Sequence, residues 1–101
     1  MKYEDRIYSE RGGVRITGAD AQLNWTWPFA ELQVWADRCE IKLPFRRIVL
    51  QRREVRSVTE FAGWFSMGVK ICFAEREVPC EVVFWTRNPK KIIHLLLRLV
   101  S

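Results

Sequence analysis

Apolar and polar residues alternate along much of this chain, and a two-residue period predicts β-strands. Between residues 30 and 36 one face carries only apolar side chains, while Glu31 and Gln33 lie on the other face. The segments CEIKL and VKICFA repeat the pattern. The predicted inward positions are Ala30, Leu32, Val34 and Ala36; Cys39, Ile41 and Leu43; and Val69, Ile71 and Phe73.

Interruptions of the alternation predict where these strands end. Asp37 and Arg38 predict a tight turn, and Pro44 interrupts the ladder before the short strand RRIVLQ. Val55 and Val58 are three residues apart, which predicts a turn or bulge near Glu54 before a strand that runs to about Phe61. We therefore expect a meander of neighbouring antiparallel strands.

The second half of the chain adds a loop, a buried strand and a helix. Gly63 and Gly68 bracket WFSM and predict a loop. The run EVVFWT is apolar on both faces, as is typical of a strand that is covered on both sides. In RNPKKIIHLLLRLVS, Asn88 is a good N-cap and Pro89 suits the first helical position, so we expect a helix over residues 89–100 with a wide buried face.

We expect one domain over residues 1–101, with its strands within 27–86 and its helix over 89–100. Residues 1–26 form an N-terminal segment in which the only structural signal is the pair Gly12–Gly13, which suits the turn of a hairpin. The expected fold class is mainly β, an antiparallel barrel of two bent sheets capped by one C-terminal helix.

The composition bears on the class of protein and on its location in the cell. Apolar residues make up 49% and charged residues 29%, which is typical of a globular domain. The start of the chain lacks the apolar region of a signal peptide, and IIHLLLRLV is too short to cross a bilayer. Cys39, Cys72 and Cys80 form no C-x-x-C pair, so we expect reduced thiols, no metal or other cofactor, and a cytoplasmic location.

The stretches WTWPFAELQV, GVKICF and VVFWTRNPKKIIHLLL, in this order, carry a family resemblance. Together they resemble a group of small uncharacterised bacterial proteins with a pleckstrin-homology-like (PH-like) fold, over residues 25–100. The resemblance implies a bent sheet plugged by the helix, and a binding role toward lipids, peptides or proteins. The basic pattern of phosphoinositide-binding members is missing at WADRCEIK, where Asp37 and Glu40 offset Arg38 and Lys42.

The net charge of +5 comes from residues 42–56, which hold six basic residues against Glu54 alone. One interpretation is a solvated strand rim that discourages aggregation between sheet edges. The other is a surface for an anionic partner: a lipid headgroup, a nucleic acid or an acidic protein. The candidate binding residues in this segment are Arg46, Arg47, Arg52, Arg53 and Arg56.

The aromatic residues also leave two interpretations open. By parity Trp27, Phe29 and Trp35 lie opposite the inward set, unless a bulge at Pro28 changes the register. They form either a second small core under the N-terminal segment or the helix, or a surface that binds a partner. Trp64 and Phe65 likewise either fold over the barrel mouth or anchor a partner.

The sequence favours binding over catalysis. Its only histidine, His94, lies within the apolar run IIHLLL, and we find no catalytic or phosphate-binding motif. We therefore expect a non-catalytic module for protein or peptide interaction, self-association as a homodimer included, with no small-molecule substrate. Binding of anionic lipid or nucleic acid through residues 42–56 is the alternative. The candidate aromatic residues are Trp27, Trp35, Trp64 and Phe65.

Overall fold

The computed structural model describes residues 6–18, 22–52, 54–63, 67–75 and 78–99. These residues form seven strands, one α-helix and a final 3₁₀ turn. The strands are β1 Tyr8–Thr17, β2 Gln22–Val34, β3 Arg38–Lys42, β4 Arg47–Gln51, β5 Val55–Ala62, β6 Met67–Glu75 and β7 Val78–Trp85. The helix α1 spans Pro89–Leu96, and the 3₁₀ turn spans Leu97–Leu99.

All paired strands are antiparallel, and they form one sheet in the order β4-β3-β2-β1-β7-β6-β5. The predicted mainly β fold is confirmed. The prediction of two bent sheets needs correction, because β1 pairs with both β2 and β7 and so joins them into a single curled half-barrel. Strands β4 and β5 are its two edges.

The prediction of a hairpin turn at Gly12–Gly13 is wrong. Both glycines lie inside β1, and the first strand begins at Tyr8, well before residue 27. A Cβ atom on Gly12 would lie 2.6 Å from the carbonyl oxygen of Trp85 and 2.8 Å from Cζ of Phe84. Glycine is needed here because β7 passes too close to β1 for any side chain.

The inward set predicted from the alternation is buried, with one exception. The side chains of β2, β3 and β6 that it names are between 0% and 6% exposed, and Leu43 is also buried. Ala36 is exposed because β2 ends at Val34 and the chain bends at residues 36–37. Val82, Val83 and Phe84 are all buried, which confirms that β7 is covered on both faces. The predicted turn and bulge around Glu54 also occur, since a register shift between Val55 and Ser57 follows the turn.

The helix begins at Pro89, as predicted, and its last turn is 3₁₀. Asn88 occupies the N-cap position, but its side chain makes no capping hydrogen bond; its backbone N–H donates to Oγ1 of Thr86 at 3.0 Å. Ile92 and Leu96 are buried and α1 packs against β5 and β6, so the helix covers the concave side of the sheet. Among the described residues, no helix is both long and apolar enough to span a membrane.

Candidate functional site

Strand β2 contains a large bulge. Gly12 pairs with Ala30 and Val14 pairs with Trp25, so residues 26–29 of β2 lie opposite Gly13 alone. The extra residues cannot join the ladder and are pushed out of it. The segment includes a cis peptide bond between Trp27 and Pro28. The parity predicted for Trp27 and Phe29 assumes that β2 has no bulge at Pro28, so it does not apply to this segment.

Four aromatic residues form what we call the aromatic corner: Trp25 next to the bulge, Trp27 and Phe29 within it, and Phe45 in the β3–β4 turn. Trp27 is 70% exposed, Phe29 56% and Phe45 89%. Trp25 is half-buried against the core, and its ring centroid lies 6.5 Å from those of Phe29 and Phe45. Trp27 and Phe29 therefore do not form a second small core, and the corner is an exposed apolar surface.

Phe45 is held in place by a tight turn. Residues 43–46 connect β3 to β4, and the backbone N–H of Leu43 donates to the carbonyl of Arg46 at 2.8 Å, which leaves Pro44 and Phe45 at the tip of the turn. The Leu43 side chain is buried and anchors the turn in the core. The chain thus presents the Phe45 ring to solvent on a short hairpin whose base is fixed. Phe45 was not among the predicted binding residues, although its position after Pro44 and before two arginines is a local signal of an exposed turn.

Trp35, a predicted member of the aromatic surface, does not belong to the corner. It follows the other end of β2, and its backbone N–H donates to the carbonyl of Arg38 at 2.8 Å. The Arg38 guanidinium lies 4.4 Å from the centroid of the Trp35 ring. This half-buried ring is therefore engaged in a cation–π contact within the chain.

A row of charged residues crosses the outer face of the sheet next to the corner. Arg11 on β1 pairs with Glu31 on β2, Glu31 with Lys42 on β3, and Lys42 with Arg47 on β4. Directly paired residues in an antiparallel sheet lie on the same face. We call Arg11, Glu31, Lys42 and Arg47 the basic row, because it holds three cations and one carboxylate.

The predicted arginines do not form one patch. Arg46 is exposed beside Phe45, whereas Arg52 follows the far end of β4, about 17 Å from Arg47 at 3.3 Å per residue. Arg56 lies on β5, at the opposite edge of the sheet. Arg53, Trp64 and Phe65 lie outside the described residues. Of the candidate residues, Arg46 and Arg47 directly follow Phe45, and Trp27 lies in the bulge two residues from Trp25, whose ring centroid is 6.5 Å from that of Phe45.

Arg47 has a structural partner in Glu40, a buried carboxylate that is 5% exposed. Nη1 of Arg47 lies 3.1 Å from Oε1 of Glu40, and Nε of Arg38 donates to Oε2 at 2.8 Å. The hydrogen bond that Arg38 donates to Glu40 raises the pKa of Arg38. Burial, with a smaller effect of the Glu40 charge, raises the pKa of the neighbouring Cys39 thiol to about 12. The two guanidinium groups compensate the buried charge, which is a stabilising role.

An open groove of about 1170 Å³ adjoins the corner, and its lining includes Trp25 and Trp27 together with Met67 and Trp85. Gly13, also in the lining, lies against the backbone of Trp25 and Trp27 and against the indole of Trp85. A Cβ on Gly13 would lie 3.3 Å from Cδ1 of Trp85, and one on Gly68 would lie 3.1 Å from its Cε3. Gly68, predicted to border a loop, is therefore a strand residue that makes room for an aromatic ring. The groove was not predicted from the sequence, because its lining comes from separate segments of the chain.

No protein-family model matches the chain, and a search of curated proteins finds no match. The function is therefore inferred from the geometry of the aromatic corner, the basic row and the groove.

Proposed function

We propose that this protein is a non-catalytic binding module that contacts its partner through the aromatic corner. One observation carries the proposal: Trp27, Phe29 and Phe45, from two separate segments, are all more than half exposed at one corner of the fold. Burial of one such ring stabilises a complex by roughly 1.5 to 3 kcal/mol. A surface of this kind is typical of an interface.

We also propose that the architecture is PH-like. The strand order, the central position of β1 and a helix that follows the last strand and covers the concave side all support this. The segment to compare with the basic pattern of phosphoinositide-binding members is, however, the first hairpin of the fold and not WADRCEIK. The turn at Asp37 joins β2 to β3, while the first hairpin of the fold consists of β1 and β2 and carries Arg11 and Arg15.

Two partner classes suit an exposed aromatic surface, and they differ in the charges they require. A protein partner, a second copy of this chain included, offers an apolar pocket that receives the rings. An anionic surface offers negative charge to the cations beside them. His94, the only histidine of the chain, is exposed on α1 and lies outside the corner.

Photo-crosslinking from the corner tests the proposed function. The photoreactive residue p-benzoylphenylalanine replaces Phe45 in one variant and Leu97 in a matched control, since both native side chains are large, apolar and exposed. After irradiation of cells that produce the protein, we expect adducts from position 45 that are absent from position 97. Mass spectrometry then assigns each adduct to a protein, a second copy or a lipid. Equal labelling from the two positions would overturn the proposal.

A further inference from the structure

The cations beside the aromatic corner indicate the chemistry of what binds there. Lys42 and Arg46 flank the Phe45 turn, and both are exposed. Among the described residues neither of them makes an ion pair, whereas Arg47 contacts Glu40. Lys42 and Arg47 are directly paired like charges, an arrangement that costs stability in a sheet. The corner thus combines protruding rings with an excess of positive charge.

This charge argues against a second copy as the occupant. Two corners in contact would bring both basic rows together, and each row has an excess of positive charge. An anionic partner removes the repulsion. The shape of the corner also bears on the kind of anionic partner. The Phe45 ring is 89% exposed, so it protrudes from the turn and does not line a pocket. Protruding tryptophan and phenylalanine rings next to lysine and arginine suit the boundary between lipid headgroups and acyl chains.

We propose that the aromatic corner docks the protein on an anionic lipid membrane. The rings of Trp27, Phe29 and Phe45 enter the interface, and Arg11, Lys42 and Arg46 contact the headgroups. The inference rests on the proposed function, because both use the same surface. It requires no enclosed headgroup pocket: the binding energy comes from apolar burial and from attraction to the negative surface.

Vesicle sedimentation tests this inference. We expect the full chain to sediment with vesicles of phosphatidylcholine and phosphatidylglycerol, and to remain in the supernatant with phosphatidylcholine alone. High salt should release it, because the attraction between cations and headgroups is screened. Phe45→Ser should lower the affinity by at least about tenfold, the lower bound for one buried ring. Lys42→Glu and Arg46→Glu should each lower it by at least about fivefold, the contribution of one basic residue at such a surface.

Matched controls separate the surface from general effects. Leu97→Ser and Arg98→Glu make the same chemical changes at exposed positions of the 3₁₀ turn, and we expect both variants to bind as the wild type does. Circular dichroism and thermal unfolding verify that every variant is folded. A second readout follows Trp27: tryptophan emission should shift to the blue on addition of the mixed vesicles. Trp27→Phe should diminish the shift while it preserves most of the binding.

The outcomes distinguish the inference from the proposed function. Adducts between position 45 and a protein, without vesicle binding, would overturn membrane docking and leave the binding role in place. Binding to an oligonucleotide but not to vesicles would do the same. Vesicle binding that ignores the corner substitutions, together with equal crosslinking from positions 45 and 97, would overturn both.

Discussion

Cys39 shows how the burial of one residue affects the chemistry of the domain. Its side chain is fully buried in the core, next in sequence to the buried carboxylate of Glu40. Removing the thiolate from water, with a smaller contribution from the Glu40 charge, raises the thiol pKa from 9.0 to about 12. The folded state therefore holds this proton more tightly than the unfolded chain does.

The raised pKa predicts a loss of stability in alkali. Since the folded pKa lies above the unfolded value, the contribution is complete below pH 9.0 and is lost as the pH rises toward about 12. The free energy of unfolding loses at most about 4 kcal/mol through this thiol between these two pH values. Cys39→Val keeps an apolar side chain of similar size, so its urea midpoint should fall less than that of the wild type between neutral pH and this range.

Tyr8 also contributes to the loss of stability in alkali, and a Tyr8 variant measures its share. Burial and the hydrogen bond to Glu10 raise the pKa of Tyr8 to about 12, which also weakens the folded state above pH 10.0. Tyr8→Phe should remove this part, and the double variant should have the flattest profile. Identical alkaline profiles of wild type and Cys39→Val would show that the thiol does not contribute.

At the scale of elements, the helix and the sheet depend on each other. A helix of eight residues is marginal by itself in water, so α1 owes its stability to the apolar side that it buries against β5 and β6. Leu96 is 1% exposed and belongs to the common core, whereas the next residue, Leu97, is 51% exposed. These neighbours provide a matched pair, because only one of them faces the sheet.

We expect Leu96→Ala to destabilise the domain by roughly 2 to 5 kcal/mol, since it leaves a cavity in a packed core. Leu97→Ala should change the free energy of unfolding by no more than about 0.5 kcal/mol, as is usual for a surface position. Urea denaturation of both variants measures the difference. Equal losses in the two variants would mean that the helix does not pack on the sheet through Leu96.

The charge of the whole molecule bears on its oligomeric state. The homodimer expected from the sequence stays a prediction, and two of its proposed contacts, Trp64 and Phe65, lie outside the described residues. At the corner, self-association has to overcome the repulsion of two basic rows. Salt screens this repulsion, and it also weakens attraction to an anionic surface. The two contacts therefore respond to salt in opposite directions.

Light scattering checks the homodimer. At low salt we expect the mass of one chain, and at high salt a rise toward two chains if the corner supports self-association. Combined replacement of Phe29 and Phe45 by serine should keep the mass at one chain at every salt concentration. A dimer that is strongest at low salt, or one that the double variant leaves intact, would place the contact elsewhere on the molecule.

Local pattern determined much of the fold. The alternation in β2, β3 and β6 identified their buried sides, because a strand needs only neighbouring residues to present an apolar face. The pair Asn88–Pro89 located the start of α1 for a similar reason, since the constraint on the backbone of Pro89 is local. Ala36 and the N-terminal segment were misjudged because strand ends and the partners of β1 depend on distant residues.

The sequence by itself determined that this is a mainly β domain with one C-terminal helix, aromatic residues in excess and its charge concentrated in residues 42–56. Only the tertiary structure decided where these features meet. Strand pairing separated Arg47 on one edge of the sheet from Arg56 on the other, and it placed Lys42 in one row with Glu31 and Arg11. The bulge opposite Gly13 exposed Trp27 and Phe29. Register and bulges arise from contacts between strands far apart in the chain, and a periodicity read along one strand contains no information about its partner.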